Sequence, residues 1–231
     1  MYKLTIMGEK EMLITDYLFE NVKPIWDAYL EHDFIMDMGN GNLCKDKFKD
    51  YLIQDYLYLK EYAKVYAMAL VKCENIEQMK FCQNSINGIL EDESATHIWY
   101  LKNFGEKIEE LEDYKIKEAN ENYTSYMKSI ALTGDLLDTM VSVLPCAWSY
   151  YYIGKKLKES YKENLEANFY KSWIESYSCE GYEKVANSSI EFVNILSENI
   201  DDNKKEKLKD IFTKASIYEM EFWDMAYEEI K

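Results

Sequence analysis

The chain has 231 residues, 48% of them hydrophobic, and 43 Asp and Glu stand against 27 Lys and Arg, a net charge of −16 at pH 7. That balance argues against nucleic acid or an anionic membrane as the main partner, since both require a basic footprint, and the apolar content is too high for a disordered acidic chain. Two prolines and eight glycines are too few to punctuate an all-β sandwich or to supply glycine-rich phosphate loops.

Apolar positions recur at the helical period almost throughout. Phe48, Tyr51, Leu52, Asp55, Tyr58, Leu59 and Tyr62, for instance, share one helix face. The pattern predicts helices over 10–37, 45–73, 75–106, 119–133, 135–160, 164–198 and 203–229. The run Gly39-Asn40-Gly41-Asn42 closes the first helix with residues that tolerate positive φ. Gly134-Asp135 reads as a C′ glycine followed by an N-cap, Asn199 to Asn203 as a polar connector, and segments 106–119 and 160–164 as exposed connections. Pro145 lies inside the fifth helix, where it predicts a kink or a local helix start.

No repeat or flexible linker divides the chain, so one all-α domain spanning 1–231 is expected. The longest uncharged stretch, Thr139 to Gly154, falls short of the roughly 18 to 20 apolar residues of a membrane span and reads as a buried helix. Met1 to Asp16 contains Glu9 and Glu11 without a long apolar core, unlike a signal peptide. Five cysteines, Cys44, Cys73, Cys82, Cys146 and Cys179, give an odd count without CxxC spacing. A disulfide framework or structural zinc site is therefore a poor reading, and a cytoplasmic location the better one.

Several reactive or polar residues fall on faces that otherwise read as core. Asp55 lies in the apolar stripe three residues before Tyr58; Cys146 and Tyr150, and Trp173 and Tyr177, are i, i+4 pairs; Glu219 and Phe222 are an i, i+3 pair. Each has an ordinary structural role open to it, since a buried thiol is usually a small hydrophobe and tyrosines at helical spacing usually pack. Brought together, a thiol, two carboxylates and tyrosine hydroxyls would suit a flat polar ring, with aromatic faces stacking on it and hydroxyls reading its edge.

Four motifs, in order, carry a family resemblance. They are Gly41-Asn42-Leu43 with Phe48, Tyr51 and the run Gln54 to Leu59; Leu144-Pro145-Cys146-Ala147-Trp148-Ser149-Tyr150; Trp173-Ile174-Glu175-Ser176-Tyr177; and Tyr218-Glu219-Met220-Glu221-Phe222-Trp223. Together they resemble the TenA/thiaminase II family over about residues 16–229. Asp33, Ala147 and Glu221 depart from the family's usual residues. The resemblance implies a haem-oxygenase-like all-α fold without haem or other cofactor, a homotetramer, and hydrolysis of 4-amino-5-aminomethyl-2-methylpyrimidine to the hydroxymethyl pyrimidine and ammonia, with thiamin as a further substrate. It makes Cys146 the nucleophile, Glu219 the proton-transferring carboxyl and Asp55 the group on the pyrimidine amino edge. Tyr58, Tyr150 and Tyr177 would line the site, and Tyr123 and Phe222 would sandwich the ring.

The chemistry explains those residue types. Thiolate addition to the ring breaks its aromaticity and pushes electrons toward the leaving nitrogen, and cysteine is both a good nucleophile and a good leaving group. One buried carboxyl group can protonate the amine and then deprotonate the attacking water. With only His32 and His97 in the chain, a Cys–His dyad is not indicated, and backbone N–H groups freed at Pro145 together with tyrosine hydroxyls would favour the thiolate. Two other readings stay open. Glu91, Glu93 and His97 lie close on one helix and suggest a di-iron oxidase, which needs more histidines than the chain has. A non-catalytic pyrimidine-binding or regulatory protein would need neither the nucleophile nor the proton shuttle.

Overall fold

The computed structural model describes residues 12–228, without the side chains of residues 92–94. Residues 1–11 and 229–231, which hold the outer ends of the first and last predicted helices and most of the leader reading, lie outside the described residues. No strand occurs among those described.

The first predicted helix divides in two. Helix α1 (Ile14–Leu30) buries Leu18, Val22, Trp26 and Tyr29 on one stripe. The chain then becomes extended at His32, whose Nδ1 accepts from Phe34 N at 3.1 Å and caps α2 (Asp33–Asn40). This histidine is spent on a helix start, a use its sequence position does not announce. Gly41, at φ 77°, closes α2 as the glycine-rich run predicts. Helix α3 (Lys45–Leu70) matches its predicted span and buries residues around much of its circumference.

The predicted 75–106 helix is a continuous helical run in three geometries: α4 (Ile76–Asn87), a π-helical segment (Gly88–Glu93) and α5 (Ser94–Asn103). The connection that follows contains a short 3-10 turn (Ile108–Asp113) that buries Leu111. Helices α6 (Glu118–Thr133) and α7 (Leu136–Ser160) fall where expected.

Between them Asp135 and Asp138 form a reciprocal capping box. Gly134 is extended rather than left-handed, and glycine is required there because a Cβ would meet Asp138 Cβ and Oδ2 at 2.7 Å.

Pro145 does not start a helix: α7 runs unbroken through it. Every residue from Leu136 to Ala147 is buried, and helices α3, α6, α8, α9 and α10 all pack on α7. That enclosure outweighs the roughly 3 kcal/mol cost of an interior proline. It also removes the expected pool of freed N–H groups beside Cys146, since a proline in a continuous helix leaves a carbonyl short of a donor rather than an N–H short of an acceptor.

The predicted 164–198 helix is interrupted twice. A 3-10 turn (Leu165–Ala167) precedes α8 (Lys171–Ser178), and Cys179 is extended before α9 (Glu180–Leu196), its Sγ accepting from Tyr182 N at 3.4 Å. Helix α10 (Asp202–Tyr227) follows the polar connector and packs along α1, α6 and α7. Helices α7 and α8 approach closely at Gly154, where a Cβ would lie 2.8 Å from Tyr177 Cβ and 2.9 Å from its carbonyl carbon.

Candidate active site

Five helices bring the sequence candidates into one buried cluster. Helix α3 presents Tyr51, Asp55, Tyr58 and Tyr62 at spacings of three and four residues, α6 presents Tyr123, α7 Cys146 and Tyr150, α8 Trp173 and Tyr177, and α10 Glu219 and Phe222. Asp55 is 3% exposed, Cys146 4% and Glu219 2%. Two carboxyl groups and a thiol so far from water need polar neighbours.

The neighbours are tyrosines. Tyr123 donates its hydroxyl to Glu219 Oε1 at 2.8 Å. Trp173 Nε1 donates to Tyr51 Oη at 3.3 Å, and Tyr51 meets the Tyr150 hydroxyl at 3.4 Å. Tyr62 donates to the Val143 carbonyl of α7 at 2.9 Å. Tyr58 packs at the centre, with its ring 5.3 Å from Tyr123, 5.4 Å from Tyr62 and 5.7 Å from Phe222.

The electrostatics follow from this crowding. Burial first, and then the Cys146, Tyr123 and Glu219 groups, push the Tyr58 hydroxyl well above its usual value. Burial and then Glu219 do the same to Tyr123, and burial, Tyr51, Asp55 and Glu219 to Tyr150. All three are neutral hydrogen-bond donors at pH 7. Cys146 acts on the hydroxyls of Tyr58, Tyr62 and Tyr123, so phenol groups surround the thiol where backbone N–H groups were expected.

Three site residues escape the sequence reading. Tyr51 and Tyr62 look like helix packing, yet both place a hydroxyl in the cluster; for Tyr62 the signal is its i+4 position after Tyr58. His97 is 1% exposed, with Nδ1 3.1 Å from Asp55 Oδ2 and Nε2 3.2 Å from the Tyr177 hydroxyl. Burial pulls its imidazole down to about 4. Nothing in the spacing around His97 marks it as Asp55's neighbour. The metal reading finds no geometry: Glu91 is exposed while His97 is buried, the Glu93 side chain lies outside the described residues, and no metal-holding group of three occurs among those described. His32 lies apart, 3.2 Å from Asp224 on the outside of α10.

A cavity of about 630 Å³ reaches Cys146 and Tyr177. Its walls include Tyr66 of α3, Phe81 of α4, Ile89 of the π-helical segment, and Tyr182 and Val185 of α9. Ala147, one of the departures from the family pattern, opens onto this cavity. A surface groove of about 760 Å³ beside Asp50, Lys117 and Glu221 touches no candidate site residue, so Glu221 faces away from the cluster.

The chain matches the TENA/THI-4/PQQC family over residues 19–229. It belongs to that family. An aminopyrimidine aminohydrolase of Helicobacter pylori is 37% identical over 217 residues, covering 94% of this chain and all of that protein. A TenA family transcription regulator from a Silicibacter species has the same fold, with a TM-score of 0.84, 26% identity, and 92% of this chain and 96% of that one covered. The heme oxygenase-1 of the cyanobacterium Synechocystis superposes with a TM-score of 0.65 at 15% identity, over 94% of this chain and 93% of that one. The expected haem-oxygenase-like all-α architecture is therefore the fold of this TENA/THI-4/PQQC member. No helix among the described residues is long and apolar enough to cross a membrane.

Proposed function

We propose that this protein hydrolyses aminopyrimidines, releasing ammonia from 4-amino-5-aminomethyl-2-methylpyrimidine and leaving the hydroxymethyl pyrimidine, with thiamin as a further substrate. Cys146 acts as nucleophile. Its thiolate adds to a ring carbon, and the displaced electron pair expels the amine from the exocyclic carbon. Glu219 protonates that amine, then takes a proton from the water that adds to the same carbon. Loss of the thiolate restores the aromatic ring.

Asp55 accepts from the pyrimidine amino group. Tyr58, Tyr150 and Tyr177 surround the reacting centre, and Tyr123 and Phe222 flank the ring. The hydroxyls around Cys146 supply hydrogen bonds to the developing thiolate. One folded unit spans the chain, and it assembles as a cytoplasmic homotetramer.

The observation that carries this reading is the burial of Cys146 and Glu219 beside the same two tyrosines, Tyr58 and Tyr123, both of whose hydroxyls they act on, with Tyr123 holding the Glu219 carboxyl at 2.8 Å. A site that only bound pyrimidines would have no use for a nucleophile and a held carboxyl sharing those tyrosines. The relative from Helicobacter pylori, named for this same hydrolysis, supports it.

The test is ammonia release from the aminomethyl pyrimidine, run beside thiazole release from thiamin, for wild type and Cys146→Ser. Turnover is expected to vanish in the variant while calorimetric binding of the hydroxymethyl pyrimidine persists. Full activity in Cys146→Ser overturns the covalent mechanism, and an inactive wild type overturns the hydrolase reading.

A further inference from the structure

Away from the tyrosine cluster, two further thiols meet. Cys73 Sγ lies 3.7 Å from Cys82 Sγ. Cys73 sits in the turn that follows α3 and is half-buried, whereas Cys82 is wholly buried within α4. Their spacing of nine residues is no redox or metal motif; they meet because α4 folds back against α3. Cys44 and Cys179 are exposed, and Cys146 is buried in the site already described.

The two sulfurs are in contact, and a disulfide bond is about 2 Å long. The remaining approach falls to Cys73, which belongs to a turn rather than a helix and whose Sγ is otherwise engaged with the Ala69 carbonyl at 3.5 Å, a weak thiol hydrogen bond. A small reagent in solution reaches Cys73 before Cys82. Burial raises the Cys73 thiol and, with Cys73 beside it, pushes Cys82 up to about 12. The pair therefore rests as protonated thiols at pH 7, and exchange at it is slow, on a scale of minutes to hours.

Helix α4 is thinly anchored. Cys82 is its one fully buried side chain, and Phe81 and Ile86 pack half-buried against the core. A helix held by so few buried groups opens more readily than its neighbours. Phe81, next to Cys82, stacks on Phe192 of α9 with ring centroids 4.0 Å apart and lines the cavity that reaches Cys146. A covalent tie at Cys82 thus acts on a wall of that cavity.

We propose that Cys73 and Cys82 are an oxidation site, forming a reversible disulfide that clasps α4 to the end of α3, with a low-molecular-weight disulfide as the oxidant. Cys73, as its thiolate, attacks one sulfur of the small disulfide, forms a mixed disulfide and releases the first small thiolate. Cys82 gives up its proton and attacks the Cys73 sulfur, which forms the internal bond and expels the second small thiolate. The two protein protons end on the two released thiols. The protein loses two electrons and the small disulfide gains them.

The experiment incubates wild type, Cys73→Ser and Cys82→Ala with oxidised glutathione, quenches by alkylation and digests without reduction. Tryptic cleavage after Lys72 and Lys80 places the two cysteines in peptides 73–80 and 81–102. Wild type is expected to yield these peptides joined, short of two hydrogens. Cys82→Ala should carry glutathione on Cys73, having no second thiol to expel it, and Cys73→Ser should leave Cys82 a free thiol. In oxidised wild type, amide hydrogen exchange over α4 slows by about 10-fold or more and recovers on treatment with dithiothreitol. Neither variant shows that slowing.

Glutathione retained on Cys73 of wild type overturns the proposal, as does a pair still free once Cys44 and Cys179 have reacted, or a cross-link from either residue to another cysteine. A bridge that forms while exchange over α4 stays unchanged overturns the clasp.

Discussion

Gly154→Ala tests how closely the site depends on helix packing. The methyl group would enter the α7–α8 contact, 2.8 Å from Tyr177 Cβ, 2.9 Å from its carbonyl carbon and 3.0 Å from its oxygen. Two of those atoms are backbone, so no rotamer relieves the clash, and α8 must retreat by about half an ångström to reach ordinary contact. Overpacking of this kind costs about 1–3 kcal/mol, against a gain of up to about 1 kcal/mol from replacing a helical glycine. A net loss of about 1–2 kcal/mol lowers the melting temperature of a protein this size by roughly 2–8 °C. The same retreat carries Tyr177 and Trp173 away from His97 and Tyr51. The Michaelis constant for the aminopyrimidine should therefore rise several-fold, since displacements of this order at positioning groups are felt in catalysis. Thermal unfolding and steady-state kinetics on one preparation check both halves. A variant as stable as wild type with an unchanged Michaelis constant refutes the claim that close α7–α8 approach sets the site.

Two further substitutions separate chemistry from scaffold. Tyr123→Phe removes the 2.8 Å hydrogen bond to Glu219 and leaves the ring packing, so kcat should fall about 10- to 100-fold, the worth of a hydrogen bond to a charged group, while the circular dichroism spectrum stays unchanged. Asp138→Ala removes half of the α7 capping box and the shared partner of Lys204 and Lys207, each 2.8 Å away, and urea titration should record a loss of about 2 kcal/mol or more. Burial works to raise the Asp138 carboxyl, but the two lysines outweigh it and hold it below 3.8. A carboxyl depressed by folding adds stability that is present above its unfolded value and lost as pH falls through the folded one, so the variant should show a flatter loss of stability below about pH 4 than wild type.

The long helices were legible because their apolar stripes are long: α3, α6, α7 and α10 end within a few residues of their predicted limits. The breaks inside 10–37 and 164–198 were not, because they are made by side chains used in unexpected ways. His32 caps α2 through a ring nitrogen and Cys179 caps α9 through sulfur, and neither is a standard N-cap residue. Pro145 misled in the opposite direction on one of its two readings: a local rule allowed a helix start there, and burial of α7 from Leu136 to Ala147 keeps the helix continuous.

The same division runs through the cluster. Asp55, Tyr58, Cys146, Tyr150, Tyr177, Glu219 and Phe222 each stood out on a helical face or within a motif, and Tyr123, placed only by spacing from Cys146, lands against Glu219. His97 could not be reached that way. It meets Asp55 across 42 positions of chain and Tyr177 across 80, and those encounters exist only because α5 packs against both α3 and α8. A helical period locates residues on the face of one helix, whereas an imidazole shared between two others is a property of how three helices meet. Tyr177, read from sequence as a group that lines and polarises the site, meets the buried His97 ring at 3.2 Å in just this way.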